Sequence, residues 1–236
     1  MTAAAIALLI AAMMDDKASV AQRNDACYAL RGQRSAEVVS ALKIAIALAD
    51  KTIRACAARD LREAGAVDTL IEGLDTGDAD TQMAAARELG ELHDPRALET
   101  LGSVALSDNV LLASSAISAL GGYEPKVALP YLLRVAGQGS VSGVTALEQA
   151  ARSQDPAVLG VARRVLDKGD VAAQVVALAI IADLGDAGDL PKLRELAAHS
   201  DPVYSRGRGF GFMPPIDIAR AAKTSIDKIS NPGRDR

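Results

Sequence analysis

The sequence predicts an all-α fold, an α-solenoid of about seven stacked two-helix units. Three observations point there. Polar helix caps recur at near-constant spacing, Pro and Gly punctuate the chain between them, and the apolar residues are small. Half of the 236 residues are hydrophobic, yet only 3% are aromatic. A core must then be built from Ala, Leu, Val and Ile at close range, which favours helices over sandwiches or barrels. No stretch carries a competing strand signal.

The caps are Ser19, Asp50, Asp78, Asp108, Ser140, Asp170 and Asp201, spaced 31, 28, 30, 32, 30 and 31 residues apart. Each precedes an Ala- and Leu-rich run. Ser and Asp suit that position because their side-chain oxygens accept from the free N–H groups of the first helical turn, where the helix dipole also favours a negative charge. A second series of helix starts falls about half a period later: Ser35, Gly65-Ala66, Asp94-Pro95, Glu124-Pro125, Asp155-Pro156, and less cleanly Asp189 with Pro191. Proline at the first helical position gives up no hydrogen bond, and the residue before it resists the helix. Glycine closes "LRG" at 30–32, "EAG" at 63–65, "ELG" at 88–90, "LGG" at 120–122 and "DLG" at 183–185, where a left-handed residue is expected to stop the helix. Each period therefore holds two amphipathic helices. Neither can bury its apolar face alone, so consecutive units must stack into one continuous core.

The opening "MTAAAIALLIAAMMDDK" has an apolar run of about 13 residues, short for a bilayer and without a basic leader region. It is expected to be the first helix, with a wide buried face. The whole chain, 1–236, reads as a single repeat domain, with an inserted loop at about 203–215 and a short tail at 230–236.

The segment "MAAARELGELHDPRALETLGSVALSDNVLLASSAISALG", residues 83–121, resembles the short HEAT-like repeats of the phycobilisome (bilin) lyase type. The resemblance extends over essentially the whole chain and implies an α-solenoid; it does not fix a function, because many unrelated proteins use this repeat. HEAT repeats commonly pair the capping Asp with an Arg four residues on. Asp50 with Arg54 keeps that pair and Ser19 with Arg23 keeps half of it, whereas Gln82, Leu112, Val144, Gln174 and Ser205 replace the Arg elsewhere. With the polar ladder mostly absent, packing is expected to carry the interfaces between repeats.

"SDPVYSRGRGFGFMPPID", residues 200–217, holds both phenylalanines of the chain. After Asp201-Pro202, recognisable helix text resumes only at Ile218, leaving about 13 extra residues, Val203 to Pro215. Gly207, Gly209 and Gly211 alternate with Arg206, Arg208, Phe210 and Phe212, a pattern that suits neither helix nor core. This is a loop inserted between the two helices of the last repeat. Tyr204, Arg206, Arg208, Phe210, Phe212 and Met213 are the candidate binding residues, since Arg beside aromatic rings offers bidentate contacts and a stacking face. The other readings are a lid that folds back to cover the end of the solenoid and an RGG-like nucleic-acid segment, for which two Arg-Gly steps are too few.

Other constellations are bland. Cys27 and Cys56 fall in equivalent second helices with no C-x-x-C pair and no base beside them, and are expected to be small, buried and unreactive in a reducing compartment. His93 and His199 each precede an Asp-Pro start and read as histidines at helix C-termini rather than ligands. The iron-holding HEAT-type hydroxylases use repeated His-Glu pairs, and this chain has none, so no metal and no cofactor are expected. "GQGSVSG", 137–143, lacks the lysine of a phosphate loop and reads as a turn. A net charge of −4 gives no bulk attraction for nucleic acid or anionic lipid, and it also argues against a DNA-binding HEAT-like glycosylase, which would need a basic groove. The expectation is a cytoplasmic, non-enzymatic protein-binding scaffold or adaptor that uses the concave row of second helices and the 203–215 loop. The resemblance implies a rival, a bilin-lyase-like enzyme subunit or chaperone handling a tetrapyrrole. Few aromatic residues are available on the helices to surround so large and flat a group.

Overall fold

The computed structural model describes residues 1–138, 140–199 and 217–231, which form fourteen α-helices and two 3-10 turns with no strand among them. The chain divides into two compact units, Met1–Glu124 and Pro125–Arg236. The first holds α1 (Ala3–Met14), α2 (Val20–Ala29), α3 (Ala36–Ala45), α4 (Lys51–Ala64), α5 (Val67–Thr76), α6 (Ala79–Leu92), α7 (Leu98–Val104) and α8 (Val110–Gly122). The second holds α9 (Pro125–Ala136), α10 (Val141–Ala151), α11 (Pro156–Lys168), α12 (Val171–Leu184), α13 (Leu190–His199) and α14 (Ile218–Ser230). Within each unit every odd-numbered helix packs on the next even one as a hairpin. The even helices then lie side by side, α2–α4–α6–α8 in one unit and α10–α12–α14 in the other. Seven two-helix repeats result, and the fold is an all-α solenoid. Among the described residues no helix is long and apolar enough to cross a membrane.

The predicted caps work as the physics requires. Ser19, Asp50, Asp78, Ser140 and Asp170 each accept from a backbone N–H in the first turn of the helix that follows. Ser19 and Gln22 form a reciprocal capping box. In place of Asp108, Asn109 caps α8, accepting from Leu111 and Leu112. Both residue types are competent caps, so spacing alone could not choose between neighbours. Asp189 is also displaced: Asp186 caps the 3-10 turn Ala187–Asp189, and the buried Asp189 carboxylate faces Arg163. Asp201 lies outside the described residues, and α14 starts at Ile218 with Asp217 as its cap.

Glycine plays two different parts. Gly32, at φ 76°, lies in the turn past Leu30, the cap of α2, and Gly65, at φ 72°, ends α4 in the left-handed conformation as expected. Gly90 does not. Helix α6 runs through it to Leu92 and stops at His93, itself left-handed at φ 53°. Gly90 instead allows close approach, because a Cβ there would stand 2.8 Å from Ala119 Cα on α8. Small residues keep the remaining interfaces tight: Ala85, Ala86, Ala116 and Ala177 are fully buried, alongside Leu42, Leu61, Leu89 and Leu120.

Two expectations are corrected. Helix α1 buries only Ile6 and Met13, because it packs on α2 and only lightly on α3. The interfaces are also not left to packing alone. Ion pairs bridge successive repeats from positions other than the cap: Arg54–Asp80 at 2.9 Å, Arg62–Glu88 at 3.0 Å, Lys43–Glu72 at 2.7 Å, Arg96–Asp68 at 2.8 Å and Arg163–Asp189 at 2.7 Å. The exposed pairs add little, whereas those with a buried partner such as Glu88 or Asp189 fix register. The residue four after the cap has its own task. Arg23, Gln82 and Gln174 donate to the carbonyls of Met13, Leu74 and Leu166, near the end of the preceding helix of their own hairpin. Those carbonyls would otherwise have no intrahelical partner.

Candidate functional site

An open groove of 620 Å³ runs across α4, α6 and α8 in the first unit. Its floor is made of small residues, Ala84, Gly90 and Ala119, which follow from the close approach of α6 to α8. Its walls are polar apart from Met83. Lys51 and Arg54 come from α4, Asp80, Met83, Arg87 and Glu91 from α6, and Ser114, Ser115 and Ser118 from α8. Arg54 is buried and spans to Asp80, while Arg87 lies against Glu88 at 2.9 Å. Charges of both signs are thereby held in fixed places along three successive helices.

One end of the groove is pinned by an aromatic pair. The His93 ring stands edge-on to Tyr123, with centroids 5.6 Å apart. The Tyr123 hydroxyl donates toward Asp94 O at 2.9 Å and Leu89 O at 3.2 Å, which fastens the turn after α6 to the end of α8. Burial, with the Asp94 carboxylate adding to it, pushes the Tyr123 phenol up to about 12, so it stays a neutral donor. Ser115 Oγ donates to Leu111 O of its own helix, and the His93 ring faces Tyr123.

The row of second helices singled out by the sequence does form this groove in the first unit, but the individual side chains were not legible. In sequence Arg54 reads only as the companion of Asp50; its partner in the fold is Asp80, one repeat further on. A basic residue paired with an acid 26 positions later, repeated at Arg62 with Glu88 and Arg163 with Asp189, was the available signal. Tyr204, Arg206, Arg208, Phe210, Phe212 and Met213 lie outside the described residues, between α13 and α14. His93 closes α6 as expected, and the side chain of His199 lies outside the described residues.

A second, smaller constellation overturns the expectation for the cysteines. Cys27 on α2 and Cys56 on α4 are bonded as a disulfide, with Cα atoms 6.4 Å apart and both residues buried. Residues 29 apart in sequence share no local signature, and only the packing of α2 on α4 brings them together. Asp60 Oδ2 lies 3.8 Å from each sulfur. Arg59 reaches Cys56 Sγ at 3.3 Å through its terminal nitrogen, and Arg59 and Arg31 face the Asp60 carboxylate at 3.5 and 3.8 Å. Cys27, Cys56 and Asp60 are the one group of potential metal ligands drawn together among the described residues.

Burial raises the Asp60 carboxyl to about 6, against the pull of Arg59 and Arg31 in the other direction. The folded protein thus binds this proton more tightly than the unfolded chain does. The stabilisation is fully present below the ordinary carboxyl value of 3.8 and is lost as pH rises toward 6. Between those limits the unfolding free energy of the wild type is expected to fall by about 2 kcal/mol relative to Asp60→Asn. Parallel denaturation curves at pH 4 and pH 7 measure the difference.

Residues 67–152 match HEAT repeats. No curated protein matches the chain in sequence. Among solved structures, the chain is similar to the complex of CpcE and CpcF of phycocyanin lyase from Nostoc sp., with 21% identity, 95% of this chain and 94% of that chain covered, and a TM-score of 0.44. It is similar to human deoxyhypusine hydroxylase at 14% identity, with 95% and 96% of the two chains covered and a TM-score of 0.42. An engineered protein matches at 15% identity over 97% of each chain, with a TM-score of 0.46.

Proposed function

We propose that this HEAT-repeat chain is a non-enzymatic, cytoplasmic adaptor or scaffold, acting as one repeat domain that seats a segment of a protein partner in the α4–α6–α8 groove. The observation that carries the reading is the groove itself, 620 Å³ of open space walled by Lys51, Arg54, Asp80, Arg87 and Glu91. Charges of both signs around a floor of small residues select a partner by complementarity, and seryl hydroxyls beside them supply adaptable hydrogen bonds. The partner segment is accordingly of mixed charge. We assign the 203–215 loop a second contact, in which Arg206 and Arg208 grip carboxylates while Tyr204, Phe210, Phe212 and Met213 supply apolar area.

The experiment pairs two variants with capture from the native host. Lys51→Glu places an acid in the first turn of α4, where the helix dipole favours it, and Ser118→Arg projects a long side chain from an exposed position into the groove. Both are expected to leave the denaturation midpoint within about 0.5 kcal/mol of wild type. Together they are expected to reduce recovery of the partner at least tenfold, with loss through the groove distinguished from loss through the loop by deleting Ser205 to Met213. Undiminished capture by both variants would remove the adaptor reading. Visible absorbance in protein co-produced with bilin would replace it with chromophore handling.

A further inference from the structure

We propose that the Cys27–Cys56 disulfide is a reversible redox clamp that ties the first repeat to the second, with Arg59 holding the Cys56 thiolate and Asp60 handling the proton of the Cys27 thiol. The surroundings of the bond carry the inference. A bridge that serves only as a staple is best packed among apolar groups, because a disulfide sulfur donates no hydrogen bond. Here a carboxylate is buried 3.8 Å from both sulfurs, and one of its oxygens, Oδ1, has no hydrogen-bond partner. Desolvating Asp60 is costly, and while the sulfurs are joined Arg59 and Arg31, at 3.5 and 3.8 Å, offset only part of that cost. Once they are thiols, Oδ2 is within reach of both S–H groups. The polar shell therefore fits the reduced state, and stabilising the dithiol makes a disulfide easier to reduce.

Charge decides between this and a metal site. Two thiolates and a carboxylate are a chemically reasonable ligand set, but Arg59 lies 3.3 Å from Cys56 Sγ and both Arg59 and Arg31 face Asp60. Two guanidinium groups repel a cation from that position. The same positive charge lowers the energy of a thiolate on Cys56, the property that makes a sulfur a good leaving group in exchange.

The chemistry closes with a thiol reductant as co-reactant. A reductant thiolate attacks Cys27 Sγ, the S–S bond breaks, and its electron pair stays on Cys56 Sγ beside Arg59. A second reductant thiolate attacks the mixed disulfide, forms the oxidised reductant and leaves the electron pair on Cys27 Sγ. Two electrons pass from the two reductant thiols to the protein, and the two protons those thiols shed end on the sulfurs, one reaching Cys27 through the Asp60 carboxyl and the other taken up by the Cys56 thiolate from the buffer once exchange is complete. Both sulfurs are covered, so exchange waits on α2 lifting from α4. The fold permits that, since α1, the hairpin partner of α2, buries only two residues. Tyr28, 45% exposed and stacked under Arg31 and Arg59, is the outer wall that must open.

The test equilibrates the native chain in glutathione buffers and counts thiols by mass after acid quench and alkylation. The wild type is expected to shift between the two states across buffers that leave the fold intact. Reduction is expected to speed amide exchange in α1 and α2 at least tenfold, with α5 to α8 unchanged. Asp60→Leu, which removes the acceptor but keeps an apolar body in the buried position, is expected to move the thiol–disulfide equilibrium at least tenfold toward the disulfide. An inert staple would resist millimolar dithiothreitol until denaturant is added, and that result overturns the proposal. So would an equilibrium unaltered in Asp60→Leu, exchange in α2 indifferent to reduction, or one equivalent of zinc retained by the reduced wild type. The exchange measurement needs no variant, so a poorly folding Asp60→Leu leaves the test standing.

Discussion

Replacing Gly90 by valine is expected to force α6 away from α8 and lower stability by about 3 kcal/mol or more, the upper end of overpacking costs. The reason is backbone proximity. A Cβ at Gly90 meets Ala119 Cα at 2.8 Å and Ala119 Cβ at 3.0 Å, and a main-chain atom cannot turn aside as a side chain can. Even Gly90→Ala is expected to destabilise, although alanine is favoured over glycine in a helix by ~1 kcal/mol. Gly73 in α5 supplies the contrast: there the nearest atoms are 3.7 Å and 3.8 Å away. Gly73→Ala is expected to raise stability by about 0.5–1 kcal/mol through reduced chain entropy in the unfolded state. Urea denaturation of the two alanine variants should move the midpoints in opposite directions, and movement in the same direction would contradict the close-approach account of α6 and α8.

Ile117→Ala is expected to cost about 2–5 kcal/mol, while Leu111→Ala on the same helix stays within about 0.5 kcal/mol. Ile117 is fully buried where α8 packs on α6 and α7, so its loss leaves a cavity that a rigid helical stack cannot collapse around. Leu111 is 70% exposed at the first turn and fills nothing. Because the repeats touch only their neighbours, the loss at Ile117 should open the third and fourth hairpins first in hydrogen exchange. Uniform loss of protection across the first unit would show instead that its repeats unfold as one block.

Much of the fold was legible because its determinants are local. A helix cap acts on N–H groups two or three residues away, so Ser19, Asp50, Asp78, Ser140 and Asp170 announce their helices in sequence. The same is true of Pro156 and of Gly65, whose conformational demands concern a single residue. Repetition of those signals at a constant period then required stacking, since no single hairpin could bury its own apolar face. The all-α solenoid, its seven repeats and the start of the last helix at Ile218 follow from the sequence by itself.

What the tertiary structure alone decided involves partners a repeat away. Gly90 has the same residue type as the helix-ending Gly65, and only the arrival of Ala119 at 2.8 Å distinguishes a close approach from a stop. The bond between Cys27 and Cys56 and the burial of Asp60 beside it depend on how α2 turns against α4, a rotation that neither helix encodes separately. The groove is decided in the same way. Arg54 and Asp80, Arg62 and Glu88 are unremarkable surface residues until stacking sets their helices side by side, because side-chain pairing across repeats depends on helix phase and separation, which local propensity does not contain.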